Sequence, residues 1–332
     1  MVKKRQGEGT DRVKSTYVSD LEVGRPVDGY FVISRATLRS YSGGQFLSLR
    51  LADRTGKVDG VVWDGAEALY PRCLVGRPAR VVGRVGQYQG NPQVVVDKLL
   101  FDLPEGEIDP ADFLPTAPVD PEETARELGA LAETLEDAWL AALWAKFRED
   151  PLWEAFCRAP GGKLWHHGYV GGLVEHTLSV CRCALRIAEG YPEVDRDVLL
   201  AAALFHDISK AEELRCDTMI DYTDEGRLIG HLVLSAMRIE RLIGEIPDFP
   251  ATLRNRLLHC MLAHHGEAPG SPVNGMTREA LVLHHADVVD AHMNAYNREI
   301  GRAEAAGRPW TDYIHLLGRY LYAGECIEPT QG

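Results

Sequence analysis

The chain of 332 residues has no run approaching the roughly 18 consecutive apolar residues that a membrane-spanning helix needs. Its start, Met1-Val-Lys-Lys-Arg-Gln-Gly-Glu-Gly9, lacks the apolar core of a secretory signal. These two absences predict a cytoplasmic protein with no membrane partner. Cysteine is scarce: there are 7, none in a Cys-x-x-Cys pair, which excludes a zinc ribbon and gives no disulfide framework. They read as reduced thiols, mostly buried, with Cys181 and Cys183 on different sides of one helix. No internal repeat or low-complexity tract is present. Positive charge is short overall, 36 Lys and Arg against 49 Asp and Glu, for a net charge of −13. That deficit argues at first against a nucleic-acid partner, because phosphate contacts come from Lys and Arg.

The distribution of charge points the other way. Residues 1–100 carry 16 Lys and Arg against 10 Asp and Glu, a local +6, which leaves 20 against 39, or −19, on the rest. A basic first module and an acidic second one imply divided labour. Segments 26–36, 45–52, 57–63, 77–85 and 93–101 are rich in Val, Leu, Ile and aromatics, with turns at Ser42-Gly-Gly44, Arg54-Thr-Gly56 and Gln89-Gly-Asn91. Five strands with a short helix at 65–70, between the third and fourth, predict an OB-type β-barrel over 1–103. Such barrels hold single strands on aromatic platforms and basic grooves. Tyr30, Tyr41, Phe46, Trp63 and Tyr88 with Arg35, Arg39, Arg50 and Arg84 are the candidate strand contacts, each aromatic equally readable as barrel packing. Residues 104–121, dense in proline and acid, read as an extended connector. From 122 to 332 the pattern is helical, an all-α bundle in which the segment after Ile300, with Trp310, Tyr313, Tyr320 and Tyr322, reads as terminal helix packing or an oligomer contact.

The chemistry sits in that second module. His176, His206, Asp207, His231, His264, His265 and Asp287 are scattered over separate helical segments, and imidazole with carboxylate suits borderline divalent metals. Any one histidine could be a core residue, but the set is more than one ion needs. His206 and Asp207 close the apolar run Val198-Leu-Leu-Ala-Ala-Ala-Leu-Phe205, and Asp287 interrupts Ala280-Leu-Val-Leu-His-His-Ala-Asp-Val-Val289. A carboxylate in such a helix requires a cation or another partner. His176 falls in the first turns of a helix over 172–190, His231 near the start of one over 228–243, and His264 and His265 at the end of one over 251–265 that Gly266 caps. Ligands at the ends of several helices can meet in one cavity.

His176, His206-Asp207 and Asp287 match the His…His-Asp…Asp signature of the HD superfamily of metal-dependent phosphohydrolases. Trp165-His-His-Gly-Tyr-Val-Gly-Gly-Leu-Val-Glu-His-Thr177, His206-Asp-Ile-Ser-Lys210 and His264-His-Gly-Glu267 followed by Gly270-Ser-Pro272 resemble the YhaM-type 3′-to-5′ exoribonucleases, which join an OB domain to an HD domain. Ser209 stands where that family commonly has Gly, which bears on loop geometry.

The resemblance implies an enzyme that hydrolyses single-stranded RNA from the 3′ end to nucleoside 5′-monophosphates, with single-stranded DNA as a second candidate substrate. Two divalent ions are expected, with manganese first and iron, cobalt, zinc or magnesium as alternatives. Bridged by Asp207, they would make water acidic enough to attack phosphorus in line. Lys210, about one turn from Asp207, is the first candidate to protonate or neutralise the leaving oxygen. His166 and His167 are expected to hold phosphate or act as acid, and the glycines after them to bring backbone amides to the substrate. Glu175, His284 and Asp290 are candidate supports of the ligands. Two other classes fit less of the chain: a nucleotide or cyclic-dinucleotide phosphohydrolase with a regulatory OB module, and a non-catalytic RNA binder with a structural metal.

Overall fold

A computed structural model of the protein describes residues 14–101, 112–114, 117, 119–163, 166–267 and 271–325. They fall into two compact units, Met1–Thr116 with Cys216–Asp221, and Ala117–Arg215 with Tyr222–Gly332. Most of the expected connector lies outside the described residues.

The first unit is a closed five-stranded barrel in the order β1-β2-β3-β5-β4, closed by β4 against β1. Its strands are β1 (Pro26–Tyr41), β2 (Gly44–Asp53), β3 (Gly56–Val62), β4 (Pro78–Tyr88) and β5 (Asn91–Leu100). All pairs are antiparallel except β3 with β5. Each expected turn joins two of them. β1 runs five residues past its expected end at 36 because it serves two neighbours in succession, β4 over its first half and β2 over its second. Helix α1 (Ala66–Leu69), continued by a 3-10 turn at Tyr70–Arg72, lies between β3 and β4 as expected. Phe31, Ile33, Leu47, Leu49, Leu51, Val81 and Val94 alternate inward and fill the barrel.

The second unit is built of helices, and a two-stranded ribbon, β6 (Leu214–Cys216) with β7 (Ile220–Tyr222), is divided between it and the first unit, to which Cys216–Asp221 belong. The pattern after 121 resolves into α2 (Pro121–Ala132), α3 (Ala138–Glu149) and α4 (Leu152–Arg158), the last two started by Asp137, which caps α3, and by Pro151. They are followed by α5 (Gly172–Ala188), α6 (Arg196–Phe205), α7 (Lys210–Glu213), α8 (Asp224–Leu228), α9 (His231–Ile243), α10 (Ala251–Ala263) and α11 (Arg278–Ala305). α6 is apolar on every side and each of its residues from Val198 to Phe205 is buried, so it forms the axis of the bundle. Trp144, Phe147, Trp153 and Phe156 pack with its last residue, Phe205, in a cluster of neighbouring rings whose centroids are 5.5 to 6.2 Å apart. Asp195 caps α6 by accepting from Val198 N, and Thr277 caps α11 by accepting from Ala280 N at 3.1 Å. Thr277→Ala is therefore expected to cost about 1 kcal/mol, seen as a lower urea midpoint for the helical unit at unchanged slope. An unmoved midpoint would show that the cap contributes nothing.

The segment after α11 is not the helix packing that its aromatics suggest. Gly307, at φ 63°, and Pro309 stop the helix, and the chain returns as an extended tail with isolated bridges Trp310 to Tyr322 and Ile314 to Arg319. Among the described residues no helix is long and apolar enough to cross a membrane.

Candidate metal centre and nucleic-acid face

α6 ends at Phe205, and the next two residues, His206 and Asp207, project where the ends of the other helices meet. His176 arrives from the second turn of α5, His231 from the first residue of α9, His264 and His265 from the end of α10, and Asp287 from the third turn of α11. All seven expected ligands come together. His176 Nε2 lies 3.3 Å from His206 Nε2, 3.4 Å from Asp207 Oδ2 and 3.2 Å from Asp287 Oδ1. On the other side of the same carboxylate, Asp207 Oδ1 is 3.4 Å from His231 Nε2 and 3.5 Å from His264 Nε2, and His231 Nε2 is 3.4 Å from His265 Nε2. Asp207 thus offers one oxygen to each of two donor sets.

The outer nitrogens of four of these rings are already engaged. His206 Nδ1 donates to Ala203 O at 2.8 Å and His264 Nδ1 to Met261 O at 2.6 Å. His176 Nδ1 is 2.6 Å from Asp290 Oδ2, and His231 Nδ1 is 2.9 Å from Glu213 Oε1. With protons held on Nδ1, every Nε2 points a lone pair at another lone pair or at a carboxylate. His264 Nε2 and Asp207 Oδ1 are buried with no hydrogen-bond partner. A bound cation would resolve this arrangement. So does a proton on His176: burial opposes it, but Asp207, Asp287 and Asp290 outweigh burial and raise the pKa of the ring. Ligands at about 2.0–2.1 Å from one ion sit about 3.0–3.4 Å from each other, which is the spacing of both donor sets.

Burial pushes the Asp207 carboxyl up, but Lys210, His206 and His231 outweigh it and hold the group well below the usual carboxylate range. Asp287 is likewise held low against burial, chiefly by His176. Lys210 Nζ lies 2.6 Å from Asp207 Oδ2, and this pairing overcomes burial to keep its ammonium charged. Burial pushes His265 down to about 3.

The expected supports divide differently from the sequence reading. Glu175 makes no direct hydrogen bond to His176; it accepts from the Tyr169 hydroxyl at 3.0 Å, at the far end of a chain that runs through His167 to Asp290. Asp290 is the carboxylate behind His176, and its Oδ2 also lies 2.9 Å from His167 Nε2. His167 has its Nδ1 2.8 Å from the Tyr169 hydroxyl and its backbone N–H donating to Asn294 Oδ1. Both ring nitrogens are therefore occupied, so His167 is a positioning residue rather than an acid or phosphate holder. Its left-handed backbone, φ 45°, turns it inward. Gly171 and Gly172 do not free amides for substrate, since their N–H groups donate to Arg158 O and Tyr169 O. Gly172 is needed because a Cβ there would lie 2.0 Å from His167 O. His166 differs: both its ring nitrogens are buried without partners, and its ring is 5.1 Å from His176. Burial, with help from Lys210 and His176, lowers its pKa to about 2, so it is a neutral donor and not a cationic acid. His284 Nδ1 donates to His264 O at 2.7 Å and bears on Gly266, at φ 69°, where any Cβ would strike its ring. It steadies the corner that carries His264 and His265. Ser209, at φ −82°, needs no glycine conformation, and its N–H donates to the buried Ser235 hydroxyl.

Sequence reasoning missed Glu213, Tyr169, Asn294 and Ser235. Asn294 carried a usable signal, seven residues and two turns beyond Asp287 on one helix; Glu213 reaches His231 only through the tertiary fold.

On the barrel, Arg35 and Arg39 of β1 point outward between the half-buried Ala36 and Leu38, and Phe46 and Arg50 of β2 point outward between Leu47, Leu49 and Leu51. The register sets Arg35 beside Arg50 and Arg39 beside Phe46. Trp63 rises just after β3, with its ring 4.9 Å from Phe46 and 5.3 Å from Tyr41. Tyr41 and Trp63 are each 47% exposed, which barrel packing would not leave. Arg50 pairs with Asp59 at 2.9 Å. Arg84 and Tyr88 lie on β4, which pairs with the Pro26–Val32 half of β1 and not with the Arg35–Tyr41 half, so the register does not bring them beside this cluster. Tyr30 is half-buried.

Residues 173–292 match the family model of the HD domain, and residues 32–100 that of the OB-fold nucleic acid binding domain. The chain is 31% identical over 287 residues to a 3′-5′ exoribonuclease YhaM of Listeria welshimeri, covering 84% of this chain and 89% of that protein. The chain belongs to the YhaM 3′-5′ exoribonuclease family. Other members of that name match similarly: that of Bacillus subtilis is 32% identical over 85% of this chain and 90% of its own length, and that of Oceanobacillus iheyensis 30% over 93% and 97%. Membership of the HD domain class carries divalent-metal dependence with it, and the YhaM-family chain presents His and Asp groups suited to hold such ions.

Proposed function

We propose that this protein is a metal-dependent 3′-to-5′ exoribonuclease that releases nucleoside 5′-monophosphates from single-stranded RNA, with single-stranded DNA as a further candidate substrate. The observation that carries the chemistry is the pair of donor sets sharing Asp207, which suits two divalent ions. Manganese is the first candidate by the family resemblance, and a site of imidazole and carboxylate donors also accepts iron, cobalt, zinc or magnesium according to supply. When bound, such ions neutralise phosphate charge and lower the pKa of water toward neutrality.

The chain's own groups do the rest. His176, His206, Asp207 and Asp287 form one set, and His231, His264 and His265 complete the other around Asp207 Oδ1. The ammonium of Lys210, fixed beside Asp207, stands at the edge of the centre, where it can balance charge building on the leaving 3′ oxygen. His166, neutral and unpartnered, is suited to donate an N–H to a phosphate oxygen. The aromatic cluster of Tyr41, Phe46 and Trp63 with Arg35 and Arg39 would stack bases and neutralise phosphates. Names carried by relatives support the 3′-to-5′ direction.

The test uses purified full-length protein, manganese and 5′-labelled single-stranded RNA, with products resolved by length. A ladder of shortening labelled fragments, abolished by chelator and restored by metal, is the expected result. An intact strand beside hydrolysed nucleotides or cyclic dinucleotides would overturn the reading. Trp63→Ala should raise KM for RNA about tenfold, on the scale of one lost base stack, and leave kcat unchanged. Unaltered KM would remove this face from substrate binding.

A further inference from the structure

At the far end of α11 lies a cavity of about 370 Å³ whose walls are the last turns of that helix and the tail beyond it. Arg298, Arg302 and Arg308 line it with His315, against the carboxylates of Glu299 and Asp312. This concentrates guanidinium groups in a part of the sequence that is strongly acidic overall. Arg302 reaches both oxygens of Glu299, at 2.9 and 3.1 Å, and Arg308 both oxygens of Asp312, at 2.7 and 3.3 Å, but the arginines stay 66% and 44% open to solvent, so water screens both pairs. Exposed pairs of this kind contribute little, and a phosphate offers a guanidinium stronger hydrogen bonds.

The tail also displays aromatic surface. Tyr313 lines the cavity with its ring 5.3 Å from Tyr320. Trp310 and Tyr322 pair beside it at 5.1 Å, each 53% exposed. Arginine and open aromatic faces together are what a single strand of nucleic acid uses.

The cavity is linked to the metal centre by geometry. Asp287, Asn294 and Arg298 are separated by seven and four residues, so with 3.6 residues per turn they share one face of α11. Asp287 belongs to the donor set and Asn294 holds His167. Arg298 continues that face about 16 Å further along the helix. An exonuclease that removes one nucleotide at a time has a single nucleotide on the 3′ side of the bond it cuts. Anything bound that far away along the strand therefore lies on the 5′ side.

We propose that this cavity binds a nucleotide of the RNA strand a few positions 5′ of the scissile bond, with Arg302 and Arg308 taking its phosphate and Tyr313 its base. The inference rests on the exoribonuclease reading. It gives the catalytic unit its own hold on the strand, in addition to the barrel.

The experiment compares full-length wild type, Tyr313→Ala and Arg302→Gln on RNAs from a dinucleotide to a dodecanucleotide, with kcat and KM measured for each length. Arg302 is on an open helix surface, so its replacement leaves the tail intact if Tyr313→Ala disturbs it. KM for the long RNAs should rise about tenfold in each variant, as loss of a stack or phosphate contact implies. KM for the dinucleotide, which is too short to reach, and kcat throughout should stay at wild-type values. Equal effects at every length, or none, overturn the proposal. So does a drop in sedimenting mass in both variants, which would make the tail a contact between copies of this chain. If wild type itself leaves RNA intact, the exoribonuclease reading has failed instead.

Discussion

Replacing Asp207 by Ala should reduce RNA hydrolysis at least about a thousandfold, the factor that about 4 kcal/mol of lost transition-state stabilisation produces. Asp207 is the one residue with an oxygen in each donor set, 3.3 Å from His206 Nε2 on one side and 3.4 Å from His231 Nε2 on the other. No other described side chain in the centre can replace both contacts. RNA affinity should change little, because the aromatic face of the barrel is untouched. Undiminished turnover would remove Asp207 from the mechanism.

The same substitution carries a stability effect that must be separated from catalysis. Lys210 is buried beside Asp207, and its ammonium would lose its nearest counter-charge. Breaking a buried pair on one side costs about 3–5 kcal/mol. Asp207→Ala should therefore melt earlier than wild type, and Asp207→Ala with Lys210→Met should melt later than the single variant while remaining inactive. Recovery of activity along with stability would show that the first loss was only unfolding.

What the sequence makes legible and what it hides follow a physical division. Candidate ligands are visible where a carboxylate or imidazole inside an apolar helical run costs free energy unless something balances it. Asp207 after the apolar α6 and Asp287 inside α11 are the clearest cases. The barrel strands are visible from two-residue alternation closed by glycine turns. The supporting shell is only partly legible: Asp290 is suggested by its place one turn after Asp287, although its partner His176 is 114 residues away, whereas Glu213, eighteen residues from His231, meets it only through the fold. His166 and His167 look alike in sequence, yet the left-handed backbone at His167 turns one toward Asp290 and leaves the other without a partner. The tail after Ala305 departs from the expected helix packing because aromatics alone suggest burial, whereas Gly307, Pro309 and Gly318 fix an extended path.

Asp290→Asn should weaken divalent-metal binding about tenfold to a hundredfold, the usual loss when the partner behind a metal-facing histidine is removed. One oxygen of Asp290 faces His176 Nδ1 at 2.6 Å and His167 Nε2 at 2.9 Å, and His167 is in turn fixed by Tyr169 and Asn294. The carboxylate thus does two things for His176: it keeps the proton on Nδ1, so that Nε2 presents a lone pair, and it makes the ring more basic. An Asn at 290 can still fill the space, but its amide carries no charge and can turn an N–H toward the ring, favouring the wrong tautomer. Titrating the variant with cobalt and following the metal's visible spectrum reads binding without reference to turnover. His167→Gln, which leaves Asp290 charged but less firmly held, should weaken binding by a smaller factor. Cobalt affinity equal to wild type in Asp290→Asn would mean that packing alone orients His176, and that the hydrogen-bonded chain from Glu175 through Tyr169 and His167 serves only to close the loop before α5.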